Sequence, residues 1–245
     1  MTGTEPFVLT GEIDQQVGYP FAGSNVLSAP SAGGAVGEFS GDGGNTYVPD
    51  TSVILFTPSG GNFTLSGVDN EGGASAPFND SGSFTIDASG RGAFVGFDFT
   101  TYVVNTNEVF FLSTTLDDPV IGHLLPQSAG PFNATTINGA FVEGTLSPAA
   151  SAESDFSGVI TLASSNSSSG TITGTQDTST STANTAAQTV TGTYGSIDPV
   201  AGIGTFALTA PSTVTGSFVV VSPTQVVLVT TTAGDVNPVV ITLGN

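Results

Sequence analysis

The sequence predicts an all-β, antiparallel protein made by tandem duplication of a roughly 110-residue barrel-like or sandwich unit. One barrel shared by strands of both copies is the alternative. Three observations predict this. Short β-branched and aromatic runs are separated by Gly, Asn, Asp, Ser and Pro. Apolar residues at the i, i+3, i+4, i+7 spacing of a helix are missing. And the runs of the first half return, in order, in the second.

The first set is TSVILFT (51–57), NFTLSGVD (62–69), SGSFTID (81–87), GRGAFVGF (90–97) and TTYVVN with EVFFLSTT (100–115). The answering set is SGVITLAS (157–164), GTITGTQD (170–177), TGTYGSID (191–198), GIGTFALT (202–209) and GSFVVVSPTQVVLVTT (216–231). The offset grows slowly, from 110 between Gly82 and Gly192 to 112 between Gly90 and Gly202 and 117 between Val109 and Val226. Duplication followed by loop insertion leaves such a drift. The first unit is thus expected in residues 1–125, with an extra N-terminal strand at 5–13, and the second in 126–245.

A Pro-apolar phrase closes each unit, PVIGHLL at 119–125 and PVVITLG at 238–244. A third copy, PFVLTGEI at 6–13, precedes the first unit. It reads as a last strand with no repeat before it, with Phe7, Leu9 and Ile13 as its buried side chains. Such a strand either caps its own unit or adds to a neighbouring subunit. The small, polar stretches 21–50, 164–170 and 177–188 predict surface loops or weak edge strands. VILF, VFFL, FVVV and VVLV do not alternate. A strand covered on both faces reads that way, so they predict a packed interior on one side and another protein surface on the other.

Composition narrows the function. The chain has no lysine, one arginine (Arg91), one histidine (His123) and 20 acidic residues, for a formal charge of −19. Binding phosphates needs Lys and Arg, so a nucleic-acid partner is excluded, and an anionic membrane surface is disfavoured. No apolar run approaches the ~18 residues of a spanning helix. Cysteine is absent, which removes disulfides and thiolate metal sites. A lysine-free, Ser/Thr-rich chain with one trypsin-type site suits an extracellular or cell-surface location. Asn62, Asn79, Asn133 and Asn166 lie in N-x-S/T sequons and are candidate glycosylation acceptors. The N-terminus MTGTEPFVLT lacks a basic n-region, so any export leader is expected outside this sequence.

Catalytic chemistry is not legible. His123 has no second His or Cys beside it in the chain and reads as a strand-face histidine. Asp117-Asp118 reads as a solvated turn pair. SGDGGN (40–45) and GVDNEGG (67–73) place carboxylates, amides and glycines together, which leaves calcium as a loop staple near Asp42 and Asp69 the one metal or cofactor reading. No G-x-S-x-G elbow occurs, and no helix follows Gly90 or Gly92 to make a phosphate cradle. Arg91 becomes Ile203 in the second copy, which marks a turn position. No catalytic or cofactor-binding residue is assigned, and the protein is expected not to be an enzyme.

SGSFTIDASGRGAF, TYVVNTNEVFFLST and SFVVVSPTQVVLVT resemble a class of uncharacterised bacterial exported tandem β-repeat proteins. Units of that class read G-T-Y-x-(V/I)-D-x-x-G-R-G and then Y-x-(V/I)-(V/I)-S-P-(T/S)-x-x-x-L-(V/I). The likeness covers about residues 81–127 and 191–245, fades over 21–50, and departs at Ile203, where the pattern has Arg. It implies secreted barrel-like modules, some of which build extracellular filaments, and no enzymatic activity. The expected function is therefore a structural subunit of an extracellular filament, pilus or surface layer that self-associates into a homopolymer. The alternative is a surface-displayed adhesin or glycan-binding module, against which the absence of Trp and the mere four Tyr weigh.

Overall fold

The structure, a computed structural model, describes residues 14–21, 26–40, 47–115, 119–146, 154–180 and 182–245. Sixteen strands and no helix occur among them. The first eight are β1 (Ser31–Phe39), β2 (Val48–Ser59), β3 (Asn62–Glu71), β4 (Ala74–Ile86), β5 (Arg91–Val95), β6 (Phe99–Asn105), β7 (Glu108–Ser113) and β8 (Val120–Pro126). The second eight are β9 (Gly139–Leu146), β10 (Ser154–Ser164), β11 (Ser169–Thr180), β12 (Asn184–Gly195), β13 (Ile203–Ala210), β14 (Val214–Ser222), β15 (Gln225–Thr230) and β16 (Val240–Gly244). Each set is an antiparallel meander closed on itself, β1 pairing with β8 and β9 with β16. The chain is thus two eight-stranded barrels in tandem. Each repeat closes its own barrel, which disposes of the shared-barrel alternative. Closure also removes sheet edges.

Turn chemistry sets the register. β2 and β3 are joined by Gly60-Gly61 alone, with φ +60° and +87°, while Ser59 pairs with Asn62. Two successive positive-φ residues make the type I′ turn whose twist matches the strands, and glycine enters it without a Cβ penalty. The matched sequence phrases fall on matched strands. TSVILFT lies in β2 and SGVITLAS in β10; GRGAFVGF overlaps β5 and GIGTFALT overlaps β13.

The small, polar tracts are where the structure departs from expectation. SAGGAVGEF, expected as surface loop or weak edge strand, is β1, paired with β2 along its length and with β8 over residues 31–37. β11 and β12 likewise carry the tracts expected as loops or weak edges through full ladders. The smallness of β1 has a packing cause. Ala32 and Ala35 are buried, and a Cβ on Gly34 would sit 2.9 Å from Val227 Cγ1 of the other barrel. Larger residues would not fit between a closing ladder and a neighbouring domain.

The end of each barrel where the preceding segment enters is sealed in the same way twice. Gln16 Nε2 donates to the Ser89 and Val103 carbonyls, and Gln127 Nε2 to those of Ala201 and Val220. Phe21 and Phe132 are buried beneath them. Asp87 accepts from the Ser89 and Arg91 amides, and Asp198 from the Val200 and Ala201 amides. These bonds hold the Asp87 carboxyl below its usual range, led by the Ser89 hydroxyl, and the Asp198 carboxyl below its own, led by the Ala201 amide. Gly90 and Gly202, at φ +86° and +72°, leave room for the glutamine and phenylalanine above. The D-x-x-G-R-G-like phrase is thus the lid of a barrel, and its chemistry is spent on closure.

Three apolar clusters result. One fills the first barrel around Phe56, Phe63, Phe94 and Phe111, with ring centroids 4.9 Å apart for Phe63 and Phe94. One fills the second around Phe141, Phe206, Phe218 and Tyr194, whose hydroxyl donates to the Ala134 carbonyl. The third lies between the barrels: Ala32, Val53 and Leu55 of the first against Val219, Val221, Val227, Val229 and Val240 of the second. Three of the four continuous apolar runs, VILF, FVVV and VVLV, are explained here. Each turns one set of side chains into its own barrel and the other onto its neighbour within the chain.

Candidate functional site

The contact between the barrels is asymmetric. The outer face of β1 and β2 in the first packs on the outer face of β14, β15 and β16 in the second. Asn70, fully buried, brackets it by donating to the Thr230 carbonyl at 2.7 Å while accepting from Gly73 N. The ladder registers identify the counterparts of both faces. Tyr102 opposite Phe110 corresponds to Val219 opposite Val227, and Leu112 opposite Ile121 to Val229 opposite Val240. Gly34 opposite Val53 corresponds to Val142 opposite Val159. The counterparts are exposed: Tyr102 by 48%, Leu112 by 47%, Ile121 by 53%, Val142 by 65% and Val159 by 54%. Counterparts of the two faces that meet inside the chain are therefore uncovered elsewhere on the barrel walls, beside the faces already in contact and with larger side chains, Val142 for Gly34 and Tyr102 for Val219.

Opposite the sealed ends, each lumen opens to a cavity. The first, of about 230 Å³, is lined by Phe78, Phe94, Phe97, Phe99 and Phe111, with Asp69 among the carboxylates near its mouth. The second is about 460 Å³. There one layer of the wall runs Leu243, Glu143, Gly158, Gln176 and Gln188, each directly opposite the next. Glu143 faces inward from β9, is 7% exposed, and its Oε1 is buried without a hydrogen-bond partner. Gly158 leaves the space for it, since a Cβ there would lie 2.7 Å from that oxygen. Gln176 donates to Thr178 Oγ1, whose hydroxyl donates to Gln188 Oε1 at 2.5 Å. Asp69 occupies the position of Gln176 in the first barrel, because it faces Ser52 as Gln176 faces Gly158. Both lumens thus carry an acid in the same layer, from different strands.

Burial raises the Glu143 carboxyl from 4.5 to about 7. Its folded value therefore exceeds its unfolded value. Below pH 4.5 the group is protonated in both states and costs nothing; stability falls as pH rises from 4.5 through 7, and above that the loss is complete. Glu143→Gln is expected to match the wild type at pH 4 and to exceed it at pH 8 by about 2 kcal/mol, after discount for the open mouth. Thermal unfolding at the two pH values checks this, and an unchanged difference would place the carboxylate in water.

His123 has company that its neighbours in sequence do not announce. Its Nε2 lies 3.0 Å from Glu108 Oε1, its ring stacks on Phe110, and an oxygen of Asp14 lies within 4.8 Å of both groups. A histidine with two carboxylates is a donor set a divalent ion could use. The second copy has Thr242, Gln225 and Leu125 at the corresponding positions. The calcium-like stretch GVDNEGG is strand up to Glu71, so Asp69 points into the lumen and Asn70 away from it. Adjacent strand residues face opposite ways, and these donors do not converge. Asp42, Asp117-Asp118 and the expected N-terminal strand with Phe7, Leu9 and Ile13 lie outside the described residues. Of the sequons, Asn62, Asn79 and Asn166 are exposed, while Asn133 is half-buried with Oδ1 accepting from Thr135 N and Oγ1. The lumen layer and the paired faces escaped sequence reasoning; only the inward phase of AFVEG, with Glu on the same side as Phe141, could have flagged Glu143.

Fold and surfaces together define a protein of two tandem, closed, eight-stranded antiparallel barrels. No protein-family model matches the chain, and no curated protein does. Among solved structures, it is similar to a protein of unknown function from the DUF3598 family of Nostoc punctiforme PCC 73102, at 11% identity and a TM-score of 0.28, over 91% of this chain and 96% of that one.

Proposed function

We propose that the chain is a structural subunit that polymerises head to tail at the cell surface or outside the cell. The observation that supports this is the asymmetric barrel contact. Within the chain, the β1–β2 face of repeat one meets the β14–β16 face of repeat two. By analogy, the β9–β10 face of repeat two, with Val142 and Val159, meets the β6–β8 face of repeat one in the next molecule, with Tyr102, Leu112 and Ile121, at a wider spacing because Val142 stands where Gly34 does and Phe110 where Val227 does. Heterologous contacts of this kind do not close unless rotation brings them round, so they give filaments. The described barrels are closed, so assembly uses wall surfaces and needs no free edge strand. A charge of −19 repels between subunits, so added salt promotes growth. The lysine-free composition and single exposed arginine suit a polymer outside the cell.

Sedimentation and electron microscopy of two double variants test it. Leu112→Asp/Ile121→Asp blocks one face and Val142→Asp/Val159→Asp the other. The wild type is expected to form linear oligomers that lengthen with concentration and salt. Each variant alone stays monomeric, and their equimolar mixture stops at dimers, because one compatible pair of faces remains. A wild type that stays monomeric at high salt, or assembles only once residues 1–13 are removed, overturns the proposal.

A further inference from the structure

The second barrel also holds the makings of a ligand site, independent of assembly. Buried polar groups in folded proteins are almost always paired, and each exception calls for an explanation. Glu143 is such an exception, with an unpartnered oxygen facing an open cavity of about 460 Å³. That volume is within the usual range for small-molecule sites, which combine apolar walls with a few placed polar groups. The walls here are Phe156, Leu208, Val239 and Ile241.

We infer that the second barrel binds a small apolar molecule headed by a protonated amine, with the ammonium paired to Glu143. Charge decides the class. Among the described residues, the charged groups lining this lumen are Glu143 from β9 and Asp235 from the β15–β16 loop; no Lys, Arg or His lines it. An anionic head would meet two like charges in a site of low dielectric. A neutral hydroxyl would leave one carboxylate underpaired. An ammonium donates to Glu143 and is attracted by the field of a chain carrying −19. The hydroxyl of Thr178 is already spent on Gln188, which leaves Glu143 without that donor. The acid in the equivalent layer of the first barrel, Asp69, repeats the preference for a cation in a smaller, phenylalanine-lined lumen.

The test is competition against Nile red, a neutral dye that brightens in apolar surroundings, using n-octylamine, n-octanol and octanoate at pH 5.5 and pH 8. Octylamine is expected to displace the dye at least tenfold more tightly than either analogue at pH 8. The margin should shrink at pH 5.5, where Glu143 takes up a proton. Glu143→Gln should level the three ligands while retaining the dye. Equal competition by the three at pH 8, preference for octanoate, or no displacement by octylamine would each overturn the assignment. The pH series on the wild-type chain decides between these outcomes without relying on the variant.

Discussion

Val53→Asp is expected to cost at least 4 kcal/mol, while Val159→Asp, the same position in the other repeat, changes stability by no more than about 0.5 kcal/mol. Both valines point outward from the second strand of their barrel, β2 and β10, and both sit in the first matched phrase of the duplication. Their surroundings differ. Val53 is fully buried among Leu55, Val219, Val227 and Val229 of the inter-barrel cluster, and Val159 is 54% exposed. A carboxylate at Val53 has no cation to meet, because the chain's one arginine lies exposed on β5. It must either protonate at a cost or part the barrels. Urea unfolding should show the loss, and the transition should split in two if each barrel survives the separation. Equal effects at the two sites would mean that the barrels do not rest on each other through these faces.

That asymmetry marks where sequence information stops. Fold class, duplication and the sites of the last strands were legible because they depend on local pattern: period-two or continuous apolar runs, turn residues, and repeated order. Three of the four continuous runs also announced that a second surface covers them, while VFFL leaves Leu112 exposed. What they could not announce was whose surface it is; the contrast between the outward pair Val53 and Leu55 of VILF and the outward pair Val159 and Thr161 of VITL says only that one is covered. β1 was missed because its residues were chosen for space; Gly33, Gly34 and Ala35 satisfy neighbours on two strands and another barrel, and none of those neighbours is near in sequence. Glu143 was missed for a related reason. Its strand carries one acid in an apolar phase, and only closure of the barrel shows that this phase faces a cavity rather than solvent. His123 looked solitary because Glu108 and Asp14 reach it across a ladder and from the entering segment.

Glycine and phenylalanine, at 33 and 17 copies, also acquire a shared meaning only through register. Phe111 stands directly opposite Gly122, Phe218 opposite Gly204, Phe206 opposite Gly216 and Tyr194 opposite Gly170. In each pair a Cβ on the glycine would fall within the volume of the ring. The ring covers the neighbouring strand's bare backbone, which keeps a narrow barrel both filled and curved. Gly122→Val is therefore expected to expel the Phe111 ring, 3% exposed and part of the first core, at a cost of about 3 kcal/mol or more. Backbone strain plays no part, because Gly122 is not among the glycines with positive φ. The effect should consequently depend on the ring. Phe111→Ala alone should cost about 3–5 kcal/mol by leaving a cavity. Combined with Gly122→Val it should cost well under the sum, since the valine then enters space the ring has vacated. A double-mutant cycle by chemical denaturation measures that coupling. Strict additivity would show that Gly122 is needed for something other than the ring that lies across it.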